Sequence, residues 1–197
     1  MDMLTFIKSR RSTRAYRDIP VEQDKLDAVV EAGRYAPSGG NCQSAHFLVI
    51  RDPAILKRLS SEVEAAFAGM QEEPGMYKSL VSSIRRARQG GYVFHYDAPV
   101  LIVLANKKDY GNNIADCSCA LQNMMLMANA LDLGSCWINQ LKWLSEHPTL
   151  LATMRELGLR EDERVYGALS LGYAATDDGL PVRAPLPRTG NDVTLIG

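Results

Sequence analysis

Apolar positions recur along this chain with a period near 3.6 in some stretches and as short continuous or alternating runs in others, so helices and strands are both predicted. Met3 to Arg10 puts Leu4 and Ile7 on one face of a short amphipathic segment. Pro20 opens a stronger helical pattern through Leu26, Val29, Val30 and Gly33, which Pro37, Gly39 and Gly40 end. His46 to Arg51 reads as a strand, and Pro53 starts a helix that runs to about Phe67. After a loop at Gly69 to Gly75, Met76 to Gln89 is polar and basic with Leu80 and Ile84 as an i,i+4 pair, which predicts a surface helix suited to a lid.

Two later segments are more apolar. Pro99 to Ala105 is a nearly continuous hydrophobic run of strand length, the pattern of a central strand covered on both faces. Ile114 to Leu131 is apolar nearly all the way round, so it predicts a helix buried on most sides, with part of its surface against a second subunit. A shorter helix follows at His147 to Leu157, and Tyr166 to Tyr173 alternates as a further strand. Asp177 to Gly197 holds three prolines and is predicted to run extended along a surface.

Length and composition narrow the class. The 197 residues suit one domain with a full core, residues 1–197. A hydrophobic content of 46% and a formal net charge of -1 fit a folded protein and argue against nonspecific nucleic-acid binding. No apolar run approaches the roughly 18–20 residues of a membrane span, and the first residues lack a signal-peptide core, so a cytoplasmic location is expected. Cys42, Cys117, Cys119 and Cys136 have neither CxxC spacing nor disulfide-scaffold density, which predicts reduced thiols. His46, His95 and His147 have no ligand-spaced neighbours, so no metal site is expected. Dinucleotide, phosphate-loop, zinc-protease and nucleophile-elbow motifs are absent.

Three segments carry candidate chemistry. In SRRSTRAYR, alternate residues of an extended stretch share a face, so Arg10, Ser12 and Arg14 could converge on an anion while Arg11 and Thr13 point elsewhere. The competing reading is a solvated basic turn. In APSGGNCQ, the glycines permit close backbone approach to a flat ligand, and Asn41 and Gln43 offer amides suited to a heteroaromatic edge. A helix end followed by a turn explains the same residues. In LDLGSCWIN, backbone N–H groups after Gly134 could point into a cleft, or Trp137 could simply pack.

Taken in order, RRSTRAY, APSGGNCQ, HYDAPVLIVL, DCSCALQNMMLMANALDLGSCWI and PLPRTGND resemble the nitroreductase family of FMN-dependent oxidoreductases. The resemblance covers nearly the whole chain and is weakest between Ala54 and Gly91, which marks about 54–95 as a variable lid or helical insertion. It implies an α+β fold with a central, mainly antiparallel sheet flanked by helices, in an intertwined homodimer with an extended tail at 176–197. By it Arg10, Arg11, Ser12 and Arg14 match the amino-terminal flavin motif, with Arg10 and Ser12 near the flavin phosphate and ribityl end, Arg14 near the pyrimidine edge, and Arg188 as a further phosphate cation. Pro37, Ser38, Gly39, Asn41 and Gln43 match the loop that meets the flavin, commonly from the other subunit. Gly134, Ser135, Cys136, Trp137 and Ile138 match the segment approaching the ring. One or two of Tyr77, Tyr92, Phe94 and Tyr96 are expected to line the acceptor pocket, with core or lid packing as the competing reading.

The family's cofactor explains the missing acid, base and nucleophile, because flavin N5 carries the hydride chemistry and the protein binds and tunes it, here through Arg14. The implied activity is NADH- or NADPH-driven, ping-pong reduction of nitroaromatics, quinones or related small oxidised acceptors. The departure from QPW to Gln43-Ser44-Ala45 leaves open other FMN chemistry, namely dehalogenation, enoate reduction or flavin fragmentation. A flavin-storage protein without turnover is the reading from a different class.

Overall fold

A computed structural model describes residues 2–197. The elements run α1 (Met3–Ser9), α2 (Gln23–Arg34), a 3-10 turn (Gly39–Asn41), β1 (His46–Ile50), α3 (Pro53–Gly69), α4 (Lys78–Gln89), β2 (Val100–Lys107) and α5 (Asn113–Ala130). Next come β3 (Gly134–Ile138), α6 (Gln140–Trp143), α7 (Pro148–Glu156) and β4 (Glu163–Gly172). The four strands form one antiparallel sheet in the order β1-β2-β4-β3.

The hydrophobic run at β2 sits where its pattern predicts, inside the sheet and buried on both faces. Leu101, Val103 and Ala105 point into one apolar cluster with α3, α4, α6 and α7, whereas Val100, Ile102 and Leu104 point into another with α2 and α5. A central strand can be apolar at every position only because helices cover both sides.

α5 obeys the same logic with one exception. Cys117, Ala120, Leu121, Met124, Met125 and Ala128 are buried, while Ala115, Cys119, Gln122 and Ala130 form an exposed stripe. That stripe is the uncovered remainder of a helix whose composition predicts burial almost all round.

Several boundaries shift from their sequence positions. α2 begins at Gln23 rather than at Pro20, after Glu22 in extended conformation, and ends at Arg34. The restricted backbone of Ala36 before Pro37 keeps the helix from continuing. α4 is more deeply seated than a surface lid, because Ile84 and Ala87 enter the cluster that also holds Leu59, Val63 and Phe67. Glu72 clamps its outer face by pairing with Arg85 at 2.8 Å and Arg88 at 3.5 Å. The prolines keep residues 180–197 free of helix and strand. Arg183 ties the tail to Asp132 at 2.6 Å, and Arg11 ties it to the Ala184 carbonyl at 2.6 Å. No helix of the described residues is long and apolar enough to cross a membrane.

Candidate functional site

The sequence-predicted site residues fall into two groups that one chain keeps apart. The first group lies along β3. Thr13 N–H donates to the Ser135 carbonyl at 2.9 Å, and Ser12 bridges Ser135, so the Arg10–Arg14 segment runs beside this strand. The approach is close enough that a Cβ on Gly134 would meet the Thr13 side chain at 2.7 Å. Gly134 is therefore required by the packing of this segment, whatever else approaches it.

Arg10 is the polar centre of this half. Its Nη1 is buried without a hydrogen-bond partner. Burial first, and the Arg188 and Arg11 charges next, hold its pKa below the usual arginine value. A guanidinium stays protonated in proteins, so burial beside like charges leaves a cationic pocket wanting an anion. Arg188 comes from the tail, 178 positions away in sequence, and its Nη1 reaches only the nearby Leu186 carbonyl at 3.1 Å. Arg11 is occupied by the Ala184 carbonyl, so it secures the tail instead of joining Arg10. Arg14 is exposed. Burial opposes its charge, but the Cys136 sulfur and the adjoining Tyr96 hydroxyl raise its pKa above the ordinary value.

Gly134 to Ile138, which the sequence did not mark as a strand, form the edge strand β3. Pairing with β4 draws Cys136 and Ile138 into the core, where they are 2% and 1% exposed. Only backbone groups of these residues can reach a ligand. Trp137 is half-buried, and its indole N–H donates to Asn139 Oδ1 at 2.9 Å. Burial pushes the Cys136 thiol pKa up.

The second group is the loop from Pro37 to Gln43, folded onto the start of α5. Gly39 N–H donates to Asp116 Oδ1 at 3.1 Å, and the Tyr110 hydroxyl donates to the Gly39 carbonyl at 3.1 Å. A Cβ on Gly39 would meet Asn112 Nδ2 at 2.1 Å, so a side chain there would have to displace the exposed Asn112 side chain. Asn41 and Gln43 adopt left-handed φ of 54° and 50°, and Gln43 Nε2 donates to Asn41 Oδ1 at 3.2 Å. The loop walls a cavity of about 570 Å³ whose other side includes Arg34, Phe47 and Ala120. Cys42 sits here, exposed, its pKa lowered by its hydrogen bonding with Ser44 first and Tyr110 second.

These halves sit at opposite ends of one helix. The loop bonds Asp116, whereas Ser9, just before Arg10, accepts from Asn129 Nδ2 at 2.9 Å. The stretch of α5 between those contacts is about 20 Å long at 1.5 Å per residue. Gly39 of the loop and Ser9 next to the arginine segment are thus anchored about 20 Å apart along α5.

Of the aromatic residues read as pocket walls, Phe94 and Tyr92 lie in the core at 0% and 4% exposure. The Tyr92 hydroxyl bonds Ser83 at 3.0 Å and Gln140 Nε2 at 2.9 Å, so it locks α4 to α6 instead of facing a cavity. Tyr96 is half-buried and beside Arg14, at φ 61°. Its neighbourhood to Arg14 had no local signal in the sequence beyond the aromatic cluster itself.

An antiparallel sheet between two helical layers, with the arginine segment along one edge strand and the amide-rich loop at the start of α5, defines an α+β protein. Comparison with known proteins agrees with that fold. The description "Nitroreductase family" matches residues 7–173, and the chain belongs to that family. It is 31% identical over 173 residues, 87% of its length and 85% of the relative's, to an Archaeoglobus fulgidus protein carrying the provisional name NADH dehydrogenase/NAD(P)H nitroreductase. It is 29% identical over 205 residues to a nitrobenzene nitroreductase of Ectopseudomonas oleovorans, covering 89% of this chain and 87% of the other. A crystal structure of a nitroreductase with bound FMN from Bacteroides fragilis superposes with a TM-score of 0.87 at 34% identity, over 100% of both chains.

Proposed function

We propose that this protein is an FMN-dependent oxidoreductase that uses NADH or NADPH to reduce nitroaromatics, quinones or related small oxidised acceptors, with each flavin held between two copies of the chain. The observation that carries the reading is the buried, partnerless Nη1 of Arg10 beside Arg188. A buried cation without a counter-charge costs free energy, and a phosphate oxygen would satisfy it by a charge-assisted hydrogen bond. The similar Bacteroides fragilis protein binds FMN, which carries such a phosphate.

The residues of the chain fit that group. Arg10 and Arg188 would hold the phosphate, and the exposed Ser12 hydroxyl would add a further donor beside it. Arg14 would set positive charge at the pyrimidine edge, where its raised pKa keeps it cationic across the working range. Asn41 and Gln43 would offer amide groups to the ring edge, and the 20 Å of α5 between the two anchored segments supports their serving the second copy's ring. The exposed stripe of α5 is the apolar face that such a copy would cover. Bound FMN supplies the hydride acceptor and donor, so the protein needs no acid, base or nucleophile of its own.

The test is a spectrum and a titration. Purified protein should show flavin absorbance, and added NADH or NADPH should bleach it, with recovery on addition of a nitroaromatic or quinone. Protein that is colourless after reconstitution with FMN, or flavin that neither nucleotide bleaches, would remove the reading.

A further inference from the structure

The tail and the arginine segment are fastened to the same residue of α5. Asn129 lies in the last turn of that helix and is 3% exposed. Its Nδ2 donates to Ser9 Oγ at 2.9 Å, immediately before Arg10. Its backbone carbonyl accepts from Arg183 Nη2, and its Oδ1 lies 3.4 Å from Arg183 Nε. The segments that carry Arg10 and Arg188, at opposite ends of the sequence, therefore share one buried anchor.

Asp132 completes the anchor in a strained conformation. It follows the end of α5 at φ 61°, a left-handed position that glycine fills most readily. The carboxylate kept there accepts from Arg183 Nη2 at 2.6 Å. Arg183 suits the place, because a cation at a helix C-terminus satisfies orphan carbonyls and opposes the negative end of the dipole. The pair is nevertheless partly exposed, with side-chain exposures of 35% for Arg183 and 54% for Asp132, and exposed ion pairs add little stability. Stability alone does not account for an aspartate where glycine is easier.

The link from this anchor to the anion pocket is short and stiff. Pro185 and Pro187 stand between Arg183 and Arg188, and each fixes its own φ and holds the residue before it extended. Arg11 takes the Ala184 carbonyl at 2.6 Å, and the four residues from there to Arg188 span at most about 14 Å. With Arg183 held, Arg188 has few places to go, and the one it takes is beside Arg10. A released tail would present Arg188 at a lower effective concentration.

We propose that Arg183 and Asp132, seated on Asn129, are positioning residues for the Arg10 and Arg188 pocket, fixing the tail so that Arg188 is preorganised for the phosphate of FMN. The inference rests on the flavin reading and adds to it that phosphate affinity is set outside the pocket, at the end of α5.

Titration of the full chain, freed of flavin, with FMN and with riboflavin tests the proposal, because riboflavin has the same ring and ribityl chain without the phosphate. The wild type should bind FMN more tightly than riboflavin. Asp132→Gly removes the carboxylate and relieves the left-handed strain, so its urea midpoint should equal or exceed that of the wild type. Its FMN affinity should nonetheless fall about ten-fold, the scale of one charge-assisted hydrogen bond, with riboflavin affinity unchanged. Arg183→Ala should behave likewise, and in an Arg188→Ala background neither change should weaken FMN binding further. A wild type that binds neither flavin removes the flavin reading and this inference with it, and equal affinity for the two removes the phosphate pocket and the inference. A wild type that prefers FMN overturns the inference alone if the variants keep that preference in full, lose both flavins equally, or weaken FMN as much without Arg188 as with it.

Discussion

The arginine half site and the loop half site differ in how they are held and in what they offer. Arg10 to Arg14 is fastened by backbone pairing to β3 and presents cations, one of them buried and unpaired. Pro37 to Gln43 is fastened by side chains of the α5 start, Asp116 and Tyr110, and presents neutral amides. Even their cysteines diverge, since burial raises the Cys136 pKa whereas hydrogen bonds lower that of exposed Cys42. The contrast matches the two ends of one ligand, an anionic end that needs charge and a ring end that needs hydrogen-bonding edges.

The sharpest way to break that comparison is complementation. An Arg10→Ala/Arg188→Ala chain should bind FMN at least about a hundred-fold more weakly, because two charge-assisted bonds at about 1.5–3 kcal/mol each are lost. Coexpressing this chain with an Asn41→Ala/Gln43→Ala chain should restore one intact site per mixed pair, about half the wild-type flavin content. Mixed pairs no more occupied than either parent would show that both halves serve the same chain.

The anchoring of the arginine half comes next. Gly134→Ala drives a methyl to within 2.7 Å of Thr13, and overpacking of this kind should cost about 1–3 kcal/mol in chemical unfolding. An unchanged midpoint would mean that the Thr13 segment moves freely, contrary to its pairing with β3.

The cysteines give a smaller, pH-resolved contrast. A lowered pKa means that the thiolate, the reactive form, is populated at lower pH. Iodoacetamide labelling of Cys42 should therefore reach its half-maximal rate below the pH of an ordinary thiol, about 8.5. Cys136 should label at least about ten-fold more slowly near pH 8, as resolved by peptide mass spectrometry. Replacing Tyr110 by Phe removes one of the hydrogen bonds on Cys42, so its labelling curve should move back toward higher pH. Coincident curves for the two cysteines would erase the electrostatic part of the contrast.

Much of this fold is legible in the sequence where a single physical effect dominates. The run at β2 and the all-round apolar α5 declare burial directly, and both lie in the core. β3 was hidden because GSCWI joins weak strand formers to a tryptophan, and its strand character comes from pairing with β4 rather than from its own residues. Phe94 and Tyr92 were misplaced for the converse reason, since an aromatic cluster beside a variable segment fits a cavity wall and a core equally well until packing decides. Motif order and the family resemblance grouped the candidate residues and gave the loop to a second subunit, but the length of α5 between the Asp116 and Asn129 contacts is legible only in the folded chain.

That length has a thermodynamic consequence. If each flavin touches two chains, ligand binding and association share one free energy, and any factor by which FMN tightens the pair is the factor by which pairing tightens FMN. Dilution should then bleach the protein as well as separate it. The stored colour of a solution would become a measure of how many of its molecules have found a second copy.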